Sequence, residues 1–179
     1  SLTMIMIDPL HTIDLGIASH LAANVFIIVA KQRVGGKLAN RISQIGAEMQ
    51  TFYQNRGEQN VLQGDLTLER CRSKSGFPKL KGKGASIRKL MVFVLHLAHE
   101  ITDRRVRGLC QFLIEFYDTI ASQPLHMDAT SRTRIAEIGF MFCNLYVTLS
   151  SEAYGRKEKL WKPSPKLHLF AHLCEWTVG

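Results

Sequence analysis

No two of the four cysteines, Cys71, Cys110, Cys143 and Cys174, lie within four residues of each other. That spacing excludes the paired thiols of a zinc knuckle and gives no sign of a dense disulfide framework, so reduced thiols in an intracellular compartment are expected. No uncharged apolar run reaches the roughly 18 residues of a comfortable bilayer span. The nearest, 15–30 and 138–149, are shorter and carry polar side chains. The opening SLTMIMIDPL has no basic flank and no small-residue cleavage site, so it does not read as a signal peptide. Catalytic signatures are also missing. There is no GxSxG, no cysteine in a nucleophile motif, no HExxH (Leu169 follows His168) and no GxxxxGK[ST] phosphate loop.

What is present is an ordinary globular mixture, 46% hydrophobic and 21% charged over 179 residues. That length is about one domain and enough to bury a core. The net charge of +8 and a pI near 9.5 point to a polyanionic partner rather than a cationic one.

Apolar periodicity predicts helices almost throughout. MIMI could be a short strand, after which Asp8 as N-cap and Pro9 at the first helical position open a helix running to about residue 33. Its VFIIVA half is apolar on all sides and should be buried. Leu38, Ile42, Ile45, Met49 and Phe52 make an amphipathic stripe over 37–54. Residues 55–84 lose periodicity, with DLTL a possible brief strand; such long irregular segments are usually functional or mobile. Ser86 can cap a helix over 87–102, and 104–122 forms another with Val106, Leu109, Leu113, Phe116 and Ile120 on one side. Asp128 can cap 129–157, and Pro163 and Pro165 precede a short terminal helix within 162–179. The expected fold is a single all-α domain of about six helices in a bundle, with at most one or two short strands.

The positive charge is concentrated. Between Glu69 and Lys89 stand Arg70, Arg72, Lys74, Lys79, Lys81, Lys83, Arg88 and Lys89 against the single acid Glu69, so 21 residues carry +7 of the chain's +8. One reading is a solvated, flexible loop. The other is contact with a phosphate backbone, because cations on a glycine-rich loop release condensed counterions from DNA. Phe77 is the one aromatic nearby, so sequence-independent backbone contact is favoured over base stacking.

Three groups of residues carry chemistry: Asp8, His11 and Asp14; His96, His99 and Glu100; and His168, His172 and Glu175. The last three, spaced i, i+4, i+7, share one helix face. A carboxylate near a strand end and another on a distant helix are the parts of a Mg²⁺-dependent phosphoryl-transfer site. Against this, Asp8 can be only a helix cap, His11 and Asp14 can pack along the first turns, and His96 and His99 can be hydrogen-bonded core residues.

In order along the chain, IDPLHTIDLGIASHLAANVF, GDLTLER, the basic loop running into GASIRKLMVFVLHLAHEI, and LWKPSPKLHLFAHLCEW resemble transposase-derived sequences of the hAT, Plavaka and CACTA type, of which dinoflagellate genomes hold many copies. Such transposases have a ribonuclease H-like core with three acidic residues, the last a glutamate on a helix beyond a helical insertion. The resemblance implies that IDPLH sits near the middle acidic position, that the helices between 37 and 157 are the insertion, and that Glu175 is the terminal glutamate. Asp8 and Glu175 would be Mg²⁺ ligands, with His168 and His172 ordering the glutamate or touching the scissile phosphate. The strands that would carry the first acidic residue are not in this sequence, so the chain is expected to be an inactive fragment or remnant by itself, DNA-binding and nuclear.

The alternative is a non-enzymatic helical subunit of a larger assembly, with apolar helices as protein interfaces. An organellar, membrane-associated or pigment-binding variant would use His20, His96 and His99 as metal ligands. Composition argues against the membrane, and no ExxN/HxR antenna signature is present.

Overall fold

A computed structural model of the chain describes residues 10–59, 61–122 and 127–176. The strand expected at MIMI and the helix start at Asp8-Pro9 lie outside that range. Among the described residues there are six α-helices and no strand: α1 Ser19–Gln32, α2 Leu38–Asn55, α3 Gly84–Ala98, α4 Arg104–Ser122, α5 Ala129–Gly155 and α6 Pro165–Glu175. A π-helical segment, Leu10–Ala18, runs into α1 without a break.

The all-round apolar character of α1 decides the architecture. Eleven of its fourteen residues are buried, from Leu21 through Phe26 to Ala30, so it needs neighbours on every side. α2, α3 and α4 pack against it, α5 packs on α4 and α6, and α6 returns onto the π-helical segment. His11–Gln32 is the one described helix long and apolar enough to cross a bilayer, with mean hydropathy 1.8. In this fold 89% of that window is buried by protein. The amphipathic stripes face inward as expected: Ile42, Ile45 and Met49 on α2, Val106, Leu109, Leu113 and Phe116 on α4, and Ile135, Ile138, Phe142 and Leu149 on α5 are buried. Ile120 is an exception, half exposed near the end of α4. Phe116, Phe142 and Phe170 meet edge to face at centroid distances of 5.2 and 5.4 Å and knit α4, α5 and α6 into a second aromatic core.

Two local expectations need correction. α3 begins at Gly84 after an extended Lys83, so Ser86 lies inside the first turn and does not cap it. DLTL forms no strand, because Cys71 N–H bonds back to the Thr67 carbonyl and closes a turn there. Asp128, by contrast, caps α5 as expected, accepting from Ser131 N–H at 2.8 Å.

α5 and α6 approach closely at Gly139. A Cβ at that position would lie 2.4 Å from Cys174 Cβ and 2.7 Å from its Sγ. Gly139→Ala should therefore force the two helices apart and cost about 1–3 kcal/mol, the range for overpacked cores. Gly155→Ala, where the added methyl meets nothing within 4 Å, should leave the denaturation midpoint nearly unchanged. Equal midpoints for the two variants would contradict this packing.

Candidate nucleic-acid interface

The irregular segment between α2 and α3 is tightly held. Leu62, Leu66, Cys71 and Leu80 are buried beneath it. Its central part folds back on itself: Ser73 N–H bonds to Phe77 O, Lys79 N–H to Cys71 O and Lys81 N–H to Arg70 O. Arg72 and Pro78 form an isolated antiparallel bridge. The turn is fastened to α1 by two bonds. Leu80 N–H donates to Ser19 O at 3.0 Å, and buried His20 donates from Nδ1 to Pro78 O at 2.7 Å.

That framework divides the eight expected DNA contacts. Arg70 is consumed locally, its guanidinium donating to the carbonyls of Lys81 at 2.8 Å and Gln63 at 2.7 Å. Arg88 is consumed at a distance: it donates to Asp14 Oδ2 at 2.8 Å and stacks over the Tyr117 ring at 5.0 Å. The remaining six, Arg72, Lys74, Lys79, Lys81, Lys83 and Lys89, form no salt bridge among the described residues. Many acids elsewhere are already engaged. Arg33 sits between Glu48 and Glu100, Arg105 between Asp103 and Glu152, and Arg134 between Glu115 and Glu137. An open groove of about 620 Å³ is lined by Arg72, Lys74 and Lys81, with Thr67 as a neutral donor and Glu69 as its single acid. The Ser73 hydroxyl, also on its wall, donates to Phe77 O at 2.9 Å. Phe77 is turned away from this groove; it lies under Lys162 Nζ, 5.8 Å from the ring centroid, and lines an apolar groove with Val147 and Tyr154.

Asp14 is the residue that sequence reasoning undervalued. Its side chain is fully buried on the π-helical segment, where it accepts from Arg88 and, at 2.6 Å, from the Tyr117 hydroxyl. Burial, and secondarily the bond to Asp14, push the Tyr117 hydroxyl pKa well up, so it stays a donor. Nearby, Lys166 Nζ donates to the His11 carbonyl, and a Cβ at Gly16 would lie 2.7 Å from Lys166 Cδ. The absence of a side chain at Gly16 thus admits the lysine.

The terminal stripe assembles as its spacing predicts. His168 and His172 face each other with Nε2 atoms 3.0 Å apart, and His172 Nδ1 lies 3.3 Å from Glu175 Oε2. The Glu175 side chain is 70% exposed. Asp8 lies outside the described residues, so its pairing with Glu175 does too. No α6 residue lines the basic groove. Among the described residues no group of three or more His, Cys, Asp or Glu is arranged to hold a metal. Mg²⁺ demands several hard oxygens in octahedral array, and the described residues bring Glu175 the His172 imidazole instead. They do not by themselves fit magnesium.

The other histidines are separate. His20 is a core residue, while His96 is exposed and packs its ring on Phe52 at 5.1 Å and Phe93 at 6.2 Å. His99 lies 3.5 Å from Arg107. The thiols are unsuited to nucleophilic chemistry: burial pushes Cys71 and Cys174 up to about 12 and Cys143 up to about 11.

No family model, curated protein or solved structure gives a significant match to this chain.

Two predictions concern the supports of the groove. Burial, with lesser help from Lys79, Lys162 and Lys166, lowers the His20 pKa below its ordinary 6.5 even though the Pro78 bond opposes this. Below pH about 6.5 the unfolded chain therefore binds a proton that the folded one refuses, and stability falls as pH drops through that value. The loss in denaturation midpoint between pH 7.5 and 5.5 should be smaller in His20→Gln than in the native chain; an equal loss would remove His20 from the account. Arg88→Leu strands a buried carboxylate. Because that guanidinium is 53% exposed, the expected cost is about 2–3 kcal/mol, below the ~3–5 for fully buried pairs. Adding Asp14→Asn should restore part of it in urea unfolding.

Proposed function

We propose that the chain is a transposase-derived helical module that binds duplex DNA through its phosphate backbone. The reading is supported above all by six cations without ion-pair partners among the described residues, five on a loop whose backbone is fixed and Lys89 in the adjoining first turns of α3. A flexible tail would have to be ordered on binding, whereas a loop held at His20 and Ser19 loses little entropy. The groove's charge and its neutral Thr67 hydroxyl suit phosphate oxygens, and no aromatic lines it for base stacking. Sequence-independent contact follows. A phosphoryl-transfer role would belong to a larger assembly in which Asp8 and further hard-oxygen ligands join Glu175; the module alone is proposed to be inactive. Its place of action would be the nucleus.

Binding to a duplex of arbitrary sequence should weaken linearly with the logarithm of salt. Replacing Arg72, Lys74 and Lys81 together by glutamine should flatten that slope by about 0.9 per cation lost. Salt-insensitive binding, or an unchanged slope in the triple variant, defeats the reading.

A second reading has its own observation. Phe140, Val147 and Tyr154, seven residues apart on the outer face of α5, are 67%, 53% and 86% exposed. Such a stripe suits a protein partner, as in a non-enzymatic helical subunit of a larger complex.

A further inference from the structure

We propose that the exposed face of α6 is a chelate for one borderline divalent transition ion, held by Nε2 of His168 and Nε2 of His172. The two nitrogens come from successive turns of one helix, so the backbone presets their approach and little ordering is needed on binding. With metal–nitrogen bonds of about 2.0–2.1 Å, nitrogens 3.0 Å apart enclose an angle near ~94°. That is the cis angle of tetragonal or octahedral coordination, which favours Cu²⁺ and Ni²⁺, while a tetrahedral Zn²⁺ site needs the pair slightly wider. Glu175 completes the arrangement from outside. Its carboxylate lies 3.3 Å from the opposite ring nitrogen of His172 and favours the tautomer protonated there, with Nε2 left to ligate once the ion displaces the Nε2–Nε2 contact. Both imidazoles reach solvent, and water can fill the remaining coordination positions. Imidazole nitrogen is the wrong donor for Mg²⁺ and the right one for these softer ions, so this assignment is independent of the DNA reading.

Trp176 supplies a reporter on the same face. Its ring stacks on His172 at a centroid distance of 6.1 Å, whereas Trp161, the other tryptophan, is buried against Tyr146. Ni²⁺ is the suitable probe because it is paramagnetic and does not oxidise the chain's thiols. Titrating NiCl₂ into the intact chain should quench Trp176 emission saturably at one ion per chain and broaden the ring proton resonances of His168 and His172. His168→Ala and His172→Ala should each raise the midpoint at least tenfold, and Glu175→Gln should raise it by less. MgCl₂ at the same concentrations should do nothing. In Trp176→Phe the quenching should vanish while the histidine broadening remains. A midpoint unchanged in both histidine variants, quenching that survives in Trp176→Phe, or no response below millimolar Ni²⁺ would overturn the proposal.

Discussion

Every buried polar side chain among the described residues, Thr12, Asp14, Ser19, His20 and Asn24, lies on one continuous helix, the π-helical segment and α1. That helix is otherwise apolar on all sides. Hydrophobic burial pulls the chain around it but is non-directional and does not say which element goes where. The polar groups do. Each would cost about 1–3 kcal/mol if buried unpaired. The side chains of Asp14, His20 and Asn24 find partners far along the chain, while the Ser19 hydroxyl bonds locally to Leu15 O and Gly16 O. Asp14 takes Arg88 from α3 and Tyr117 from α4. The Ser19 carbonyl and His20 take the basic loop. Asn24 accepts from Trp161 N–H at 3.0 Å while donating to His20 O, and so holds the approach to α6.

The charge distribution follows from this pinning. Trp161 has φ +52°, a conformation that few large residues adopt; the Asn24 bond and an edge contact with Tyr146 at 5.6 Å hold it there. Lys162 is thereby placed over Phe77, on the side of the loop away from the basic groove. Much of the bundle's carboxylate is engaged by Arg33, Arg105 and Arg134, and six of the loop-side cations form no ion pair among the described residues. Their repulsion is a cost to the isolated fold that a polyanion would relieve.

What could be read from sequence was local. The stripes of α2, α4 and α5, the Asp128 cap and the His168–His172–Glu175 face all depend on partners within a few residues, where helical geometry alone decides proximity. What could not be read spans the chain. Asp14 meets Arg88 across 74 positions and Tyr117 across 103, and nothing in either neighbourhood distinguishes a pairing arginine from a phosphate-binding one. Arg88 and Arg70 stand in the same run of cations as the others, and that run does not show that their guanidiniums bond within the chain. The irregular loop is fixed because Ser19 and His20, 58 or more positions away, grip it, and loss of periodicity is silent about such bonds. One signal was available. Asp14, Ser19, His20 and Asn24 interrupt the most apolar stretch of the sequence, and a polar residue that must be buried implies a partner elsewhere.

The shared attachment also bears on how the loop and α6 could influence each other. Both are fastened to the same helix by short, directional bonds, and α6 adds its own close approach to α5 at Gly139. Coupling between two sites needs an element with two arrangements of similar free energy, each preferred by one ligand. A rod whose buried polar groups are held by specific, distant partners offers no second arrangement, since moving it would leave Asp14, His20 or Asn24 without them in the core. Phosphate contact at the loop and ion binding on α6 should therefore be energetically additive, two functions displayed on one frame rather than a switch.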